Sequence, residues 1–198
     1  MFVERGLSTQ SGKLKSGWIE VITGCMFSGK TEELIRRINR ALIARQKVKI
    51  FKPHIDQRYH PTHVVSHNER AIDSVVVTSS GDMIDLAKDY EVIGIDEAQF
   101  FDEGIVAVCN QLANEGKRVI VAGLDMDFEG KPFGPMPNLL AVAEYVTKLH
   151  AICTKTGDLA SFSFRLTNEA DKVKLGDVNT YEARSRSSFV EAMDLKKK

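Results

Sequence analysis

A chain of 198 residues can hold one substantial core and a small appended lobe, but it is too short for two ordinary domains of ~150 residues each. Hydrophobic residues at 43% against 27% charged exclude global disorder, and 27 basic against 27 acidic side chains exclude a nucleic-acid binder held by bulk charge. Cys25, Cys109 and Cys153 are too few for a disulfide framework or a four-cysteine metal site and fit a reducing cytoplasm; no apolar run approaches the ~20 residues of a membrane span, and the N-terminus has no apolar signal core.

Residues 1–17 mix Ser, Gly, Lys and Thr without periodicity and read as a mobile tail. Order begins at Trp18 with the apolar run 18–23, followed by a helical pattern over 30–45 and a second apolar run over 48–52. Strand, helix, strand is the grammar of a parallel sheet. In that helix Leu34, Ile35, Ile38, Leu42 and Ile43 form an apolar stripe for the sheet, with Arg36, Arg37, Arg40 and Arg45 opposite. Residues 53–68 hold two prolines and four histidines and read as a long loop. Further strands are predicted at 74–77, 91–95, 118–123 and 145–151, with helices near 80–89, 103–115 and 137–143. The run 91–95 is apolar on both parities, as a central strand covered on both faces should be. Beyond 151 the alternation stops; short runs such as 161–166 and 173–178 suggest a small β-rich lobe over 151–191, with a tail over 192–198. Charge is uneven: the first fifty residues carry ten basic and four acidic side chains, and 69–104 carry ten acidic and two basic. Solvated helix faces account for this, or an anionic ligand or subunit contact at the basic end.

Gly24, Cys25, Met26, Phe27, Ser28, Gly29, Lys30 and Thr31 match G-x-x-x-x-G-K-[ST] between an apolar strand and an amphipathic helix, the context a phosphate-binding loop requires. The glycines allow tight turns that aim N–H groups at phosphate oxygens, Lys30 supplies a point charge, and Thr31 offers a hydroxyl to Mg²⁺. The strand at 91–95 ends in Asp96 and Glu97, at the sheet edge where ligands bind in such folds. Asp96 suits Mg²⁺, and Glu97 suits the deprotonation of an acceptor, water or a hydroxyl. These motifs specify a nucleoside triphosphate user without naming the acceptor, so an ATPase associated with nucleic acid or protein remains the alternative.

The segments GCMFSGKTEELIRR, DQRY, VIGIDEAQFF, AGLDMDFEGKPFG, Cys153 and YEAR at 181–184 together resemble the type II thymidine kinases, over roughly 18–190. The resemblance implies an α/β, RecA-like P-loop domain with a parallel sheet over 18–150 and a small β-rich C-terminal lobe covering the nucleoside site. It implies transfer of the γ-phosphoryl of ATP, with Mg²⁺, to the 5′-hydroxyl of thymidine and deoxyuridine, by a cytoplasmic homotetramer inhibited by dTTP. By matching positions, Glu97 is the base, and ATP is held by Gly24–Thr31, Asp96, Glu97, Ala98, Gln99, Asp56 and Arg58. Met26, Phe101, Leu124, Phe128, Phe133 and Tyr181 match the wall of the nucleoside pocket, a role an apolar slot for thymine makes sense of, although Leu124 and Phe133 serve equally as core. Ser163 matches a hydroxyl residue near the base, and Val173 to Tyr181 a substrate-covering loop.

The departure lies in the lobe. Where relatives place two C-x-x-[CH] pairs on structural zinc, this chain has Cys153, Thr156, Ser185 and Ser188. Hydroxyls do not replace thiolate or imidazole at tetrahedral zinc. No structural zinc is expected, and Phe162, Phe164 and Phe189 are expected to fill the vacated position. His54, His60, His63 and His67 read as a solvated loop rather than a metal or pH-sensing cluster. Cys25, at a helix N-terminus, is expected to have a lowered pKa and an oxidation sensitivity against which ATP protects.

Overall fold

The computed structural model describes residues 17–54, 63–65, 71–167 and 180–196. Its centre is a parallel sheet of six strands in the order β5-β2-β6-β7-β1-β8. The strands are β1 (Trp18–Gly24), β2 (Val48–Pro53), β5 (Val75–Val77), β6 (Val92–Ile95), β7 (Arg118–Gly123) and β8 (Tyr145–Leu149). Alternate side chains leave opposite faces and both faces of the inner strands are covered, which is why a run such as Val92–Ile95 is apolar on both parities. On one face Ile22, Ile50, Val92, Ile120 and Ala122 pack against Leu34, Ile35, Ile38 and Ala41 of helix α1 (Lys30–Ile43). On the other, Val21, Phe51, Ile93, Ile95, Val119 and Val121 meet Ile105, Val108, Cys109 and Leu112 of α3 (Ile105–Asn114), with Met83 of α2 (Asp82–Leu86) and Leu139 of α4 (Met136–Val142). The α/β class and the parallel sheet hold.

Several local expectations change. Gly17 is tied down, its N–H donating to the Ala113 carbonyl. Helix α1 stops at Ile43 because Arg45 turns left-handed (φ 59), which leaves Leu42 and Ile43 exposed rather than on the sheet. Arg37 lies within the α1–sheet layer instead of on the outer face, because β1 turns the carboxylate of Glu20 toward α1 and the two form a buried ion pair at 2.9 Å. The histidine-rich segment contains β3 (His63–Val65), paired antiparallel with β4 (Ala71–Asp73); the rest of 53–68 beyond His54 lies outside the described residues. The strand expected over 145–151 ends at Leu149, and Ala151 opens another sheet.

The lobe is built from two hairpins, β9 (Ala151–Ile152) with β10 (Leu159–Ala160), and β11 (Phe162–Arg165) with β12 (Tyr181–Arg184). It ends in a helix, α5 (Arg186–Lys196), where the sequence reads as lobe and then tail. The alternating run at 173–178 lies outside the described residues. Phe162 and Phe164, two residues apart on one face of β11, pack on Phe189 of α5, with ring centroids at 4.5 and 6.2 Å. They do not gather around Cys153. Cys153 belongs to a separate group with Cys25, Ala151, Ala160 and Ala183.

Candidate functional site

Because the sheet is parallel, Gly24, Ile95 and Gly123 bring their strands to the same edge, and the residues that follow each share one crevice. After β1 the chain turns through Phe27 (φ 64) and Gly29 (φ 85) before α1 begins at Lys30. A Cβ on Gly24 would stand 2.2 Å from the Leu149 carbonyl oxygen, so the loop lies directly on the end of β8 and only glycine fits there. Lys30 Nζ donates to the Cys25 carbonyl at 2.9 Å, folding back over its own loop. Burial pushes the Lys30 ammonium below its ordinary pKa, opposed by the charges of Glu97, Cys25, Asp96 and Asp125.

Asp96 is buried and its Oδ1 accepts the N–H of Glu97 at 3.0 Å. Glu97 itself is left-handed (φ 51), a conformation rare for a residue with a side chain. It opens the single turn Ala98–Phe100, which carries Gln99 back toward it: Gln99 Nε2 donates to Glu97 Oε2 at 2.5 Å, and Gln99 Oε1 accepts from the N–H of Leu124 at 2.9 Å. Gln99 therefore braces the Glu97 carboxylate against the end of β7. Leu124, Phe128 and Phe133 follow β7 and are partly buried; Phe133 packs edge-on against Phe100 at 5.5 Å. The P-loop reaches the lobe through the Met26 N–H, which donates to Ser163 Oγ at 3.0 Å.

The predicted residues thus separate into groups. Lys30, Asp96 and Glu97 share one electrostatic neighbourhood, and Met26 touches Ser163. Ala98 and Phe101 are buried and belong to the main core cluster. Cys25 is corrected: burial raises its thiol pKa, outweighing the backbone hydrogen bond and Lys30, and its Sγ donates to the Ala160 carbonyl at 3.3 Å. Asp56, Arg58 and Val173 lie outside the described residues.

Two residues went unnoticed in the sequence. Asp125 is buried just past β7, pairs with Lys148 through Oδ2 at 2.6 Å, and acts electrostatically on Lys30. Arg165 is buried between Phe128 and Tyr181.

Ser28 Oγ and Asp125 Oδ1 are buried without a hydrogen-bond partner among the described residues; a phosphate oxygen or water would satisfy the hydroxyl, and water or a cation the carboxylate oxygen. Among the described residues no group of three or more His, Cys, Asp or Glu could hold a metal by itself. A hydroxyl at Thr31 and a carboxylate at Asp96 are hard oxygen donors, and Mg²⁺ is bound by one or two such ligands together with substrate phosphates. The residues present fit that ion.

Thr156, Ser185 and Ser188 present hydroxyls near one another and near Arg184. Thr156 Oγ1 and Ser185 Oγ lie 3.3 Å apart, Ser185 Oγ and Ser187 Oγ also 3.3 Å, and Arg184 Nη1 donates to Ser188 Oγ at 2.7 Å. Burial raises the pKa of Cys153, but the Thr156 hydroxyl and the N–H groups of Ser185, Lys155 and Thr156 overcome it and bring the thiol down to about 6.

A family model described as thymidine kinase matches residues 17–189. The chain is 60% identical over 173 residues to the thymidine kinase of Rhodothermus sp. (strain ITI 518), covering 87% of this chain and 81% of that one. It is 56% identical over 178 residues to the thymidine kinase of Bacteroides thetaiotaomicron (90% and 89% covered) and 54% over 182 residues to that of Porphyromonas gingivalis (92% and 89%).

Proposed function

The chain belongs to the thymidine kinase family, and from that premise we propose that Glu97 is the base in transfer of the γ-phosphoryl of ATP to the 5′-hydroxyl of thymidine. Phosphorylation of thymidine is the activity of the family and of this chain; it salvages the nucleoside for DNA synthesis. The observation that carries the assignment of the base is the carboxylate of Glu97, at the sheet edge beside the P-loop and fixed by Gln99.

Phosphoryl transfer asks little covalent chemistry of a protein; it needs in-line positioning and compensation of charge. Backbone N–H groups of Gly24–Thr31 hold the donor phosphates at the N-terminus of α1, and Lys30, released from the Cys25 carbonyl, turns its ammonium to the outer phosphates. Thr31 and Asp96 would hold Mg²⁺, which when bound would supply charge compensation for the phosphates. Glu97 accepts the 5′-hydroxyl proton as the oxygen–phosphorus bond forms, and ADP leaves. Met26, Leu124, Phe128, Phe133 and Tyr181 wall the base, Ser163 anchors the lobe to the P-loop, and Asp56, Arg58 and Val173 complete the nucleotide and base contacts.

Thymidine should therefore stimulate ADP release many-fold, deoxyuridine should substitute for it, and dTTP should suppress it in proportion to its concentration. ATP turnover indifferent to thymidine would instead mark an ATPase with water as acceptor.

The proposal extends to the lobe, which we read as free of zinc. Backbone bonds close the turn at the former metal position: the Cys153 N–H donates to the Asp158 carbonyl at 2.8 Å and the Gly157 N–H to the Cys153 carbonyl at 2.9 Å. With hydroxyls at three of four positions, the donor set does not fit structural zinc. Metal analysis of the purified protein should find well under one zinc per chain, and a chelator should leave its melting temperature unchanged; one tightly held zinc per chain would overturn this. Three free, buried thiols support a cytoplasmic location. No helix among the described residues is long and apolar enough to cross a membrane. Exposed Ile152 and Leu159 on the β9–β10 hairpin support burial against another subunit in a homotetramer.

A further inference from the structure

We propose that Arg165 is a positioning residue that sets the geometry, and with it the selectivity, of the thymidine site. Arg165 closes β11 and stands opposite Tyr181 in the β11–β12 ladder. Its side chain is 1% exposed. The guanidinium lies 3.8 Å from the centre of the Phe128 ring, and Nε and Nη2 both donate to the Tyr181 hydroxyl, at 3.1 and 2.8 Å. Its backbone carbonyl accepts from Lys196 Nζ of α5 at 2.5 Å, so the last helix holds the strand end that carries it.

Burying a cation is costly, and an apolar side chain of this volume would fill the space at less cost, so packing alone does not account for Arg165. A guanidinium has a property no apolar residue supplies. Its plane stacks on one aromatic face while its edge donates two bonds to a single oxygen. Here the face belongs to Phe128, on the segment after β7, and the oxygen to Tyr181, on the lobe. Arg165 thus couples an aromatic residue of the P-loop domain to one of the lobe, and fixes the separation and tilt of the two rings. Lysine keeps the charge but has neither the plane nor the fork. The inference rests on Phe128 and Tyr181 being walls of the base site, as read above.

Its consequence is a loss of nucleoside binding rather than of chemistry. Arg165→Lys should raise the KM for thymidine about tenfold to a hundredfold, the range expected for losing charge-assisted hydrogen bonds, with the KM for ATP within about twofold. Tyr181→Phe keeps the ring and the arginine but removes the hydroxyl that takes these two bonds; it should show the same selective rise, and Arg165→Lys added to it should cost little more. Calorimetric titration of thymidine without ATP reads the same loss without turnover. Tyr181→Phe also decides the matter if the arginine variants fold poorly, since a normal thymidine KM in that protein overturns the proposal. A thymidine KM that Arg165→Lys leaves unchanged while Tyr181→Ala raises it also overturns it. If neither Tyr181→Ala nor Phe128→Ala moves the thymidine KM, it is the reading of the pocket that fails.

Discussion

Glu97→Gln should lower kcat for thymidine phosphorylation by about 10²- to 10⁴-fold while ATP affinity, measured by calorimetry, changes little. The replacement preserves volume and leaves an oxygen to accept the Gln99 amide now bonded at 2.5 Å, so the turn Ala98–Phe100 and its link to Leu124 should persist. The left-handed backbone at residue 97 (φ 51) is no harder for glutamine than for glutamate. What disappears is basicity, and one further thing: the Glu97 charge is the foremost of those supporting protonation of the buried Lys30. Without it the Lys30 pKa falls further. A lysine with a depressed pKa is protonated below that pKa and neutral above it, so a deficit arising through Lys30 would be recovered as the pH is lowered. Loss of the base would not be recovered, because glutamine accepts no proton at any pH in the working range. The pH–rate profile of the variant therefore separates the two routes. Near-wild-type kcat at neutral pH would remove Glu97 from the role of base.

The fold was legible wherever burial is two-sided. The inner strands of the large sheet lie between helices, and a strand apolar on both parities such as 91–95 cannot be mistaken for a surface segment. The P-loop and the Asp96–Glu97 pair were legible for another reason: phosphate binding constrains consecutive residues, and the constraint survives in one dimension. Features that depend on distant partners were not. Nothing local separates Asp125 from Asp127, yet Asp127 Oδ1 closes a turn by accepting from the N–H groups of Glu129 and Lys131, while Asp125 is buried beside the P-loop with Lys148. Nothing local marks Arg165 either: the Tyr181 hydroxyl that accepts from it comes 16 residues later, on the next strand of the ladder. Helix α5 was missed because among its first residues only Ser188 and Phe189 are buried, too few to show a period. The bond from the Met26 N–H to Ser163 Oγ was hidden by distance along the chain, since 137 residues separate the two.

The largest effect on stability should come from a residue outside the site. Glu20, on the strand that leads into the P-loop, is fully buried and accepts from Arg37 Nη1 at 2.9 Å, from Arg118 Nε and Nη2 at 2.7 and 3.2 Å, and from the Trp18 indole at 2.6 Å. Arg37 is held also by Glu33 at 2.8 Å and by Thr147 at 3.0 Å, so the network joins α1 to β1, β7 and β8. Glu20→Gln keeps the shape and removes the buried anion that Arg37 and Arg118 share, while Glu33 stays on Arg37. Breaking a buried pair on one side costs about 3–5 kcal/mol. For a domain of this size that lowers the melting temperature by roughly 6–20 °C. Arg37→Met should cost less, because Arg118 remains on Glu20 and an apolar side chain fits the layer of Leu34 and Ile38. Replacing Glu20, Arg37 and Arg118 together by apolar residues should cost less than Glu20→Gln alone, because no uncompensated charge is left behind. At a temperature where each variant is folded, kcat should stay within a few-fold of wild type, since none of the three touches the P-loop or Glu97. A shift below ~2 °C for Glu20→Gln, or a triple variant less stable than the single one, would mean that α1 is held by its apolar face and not by this network.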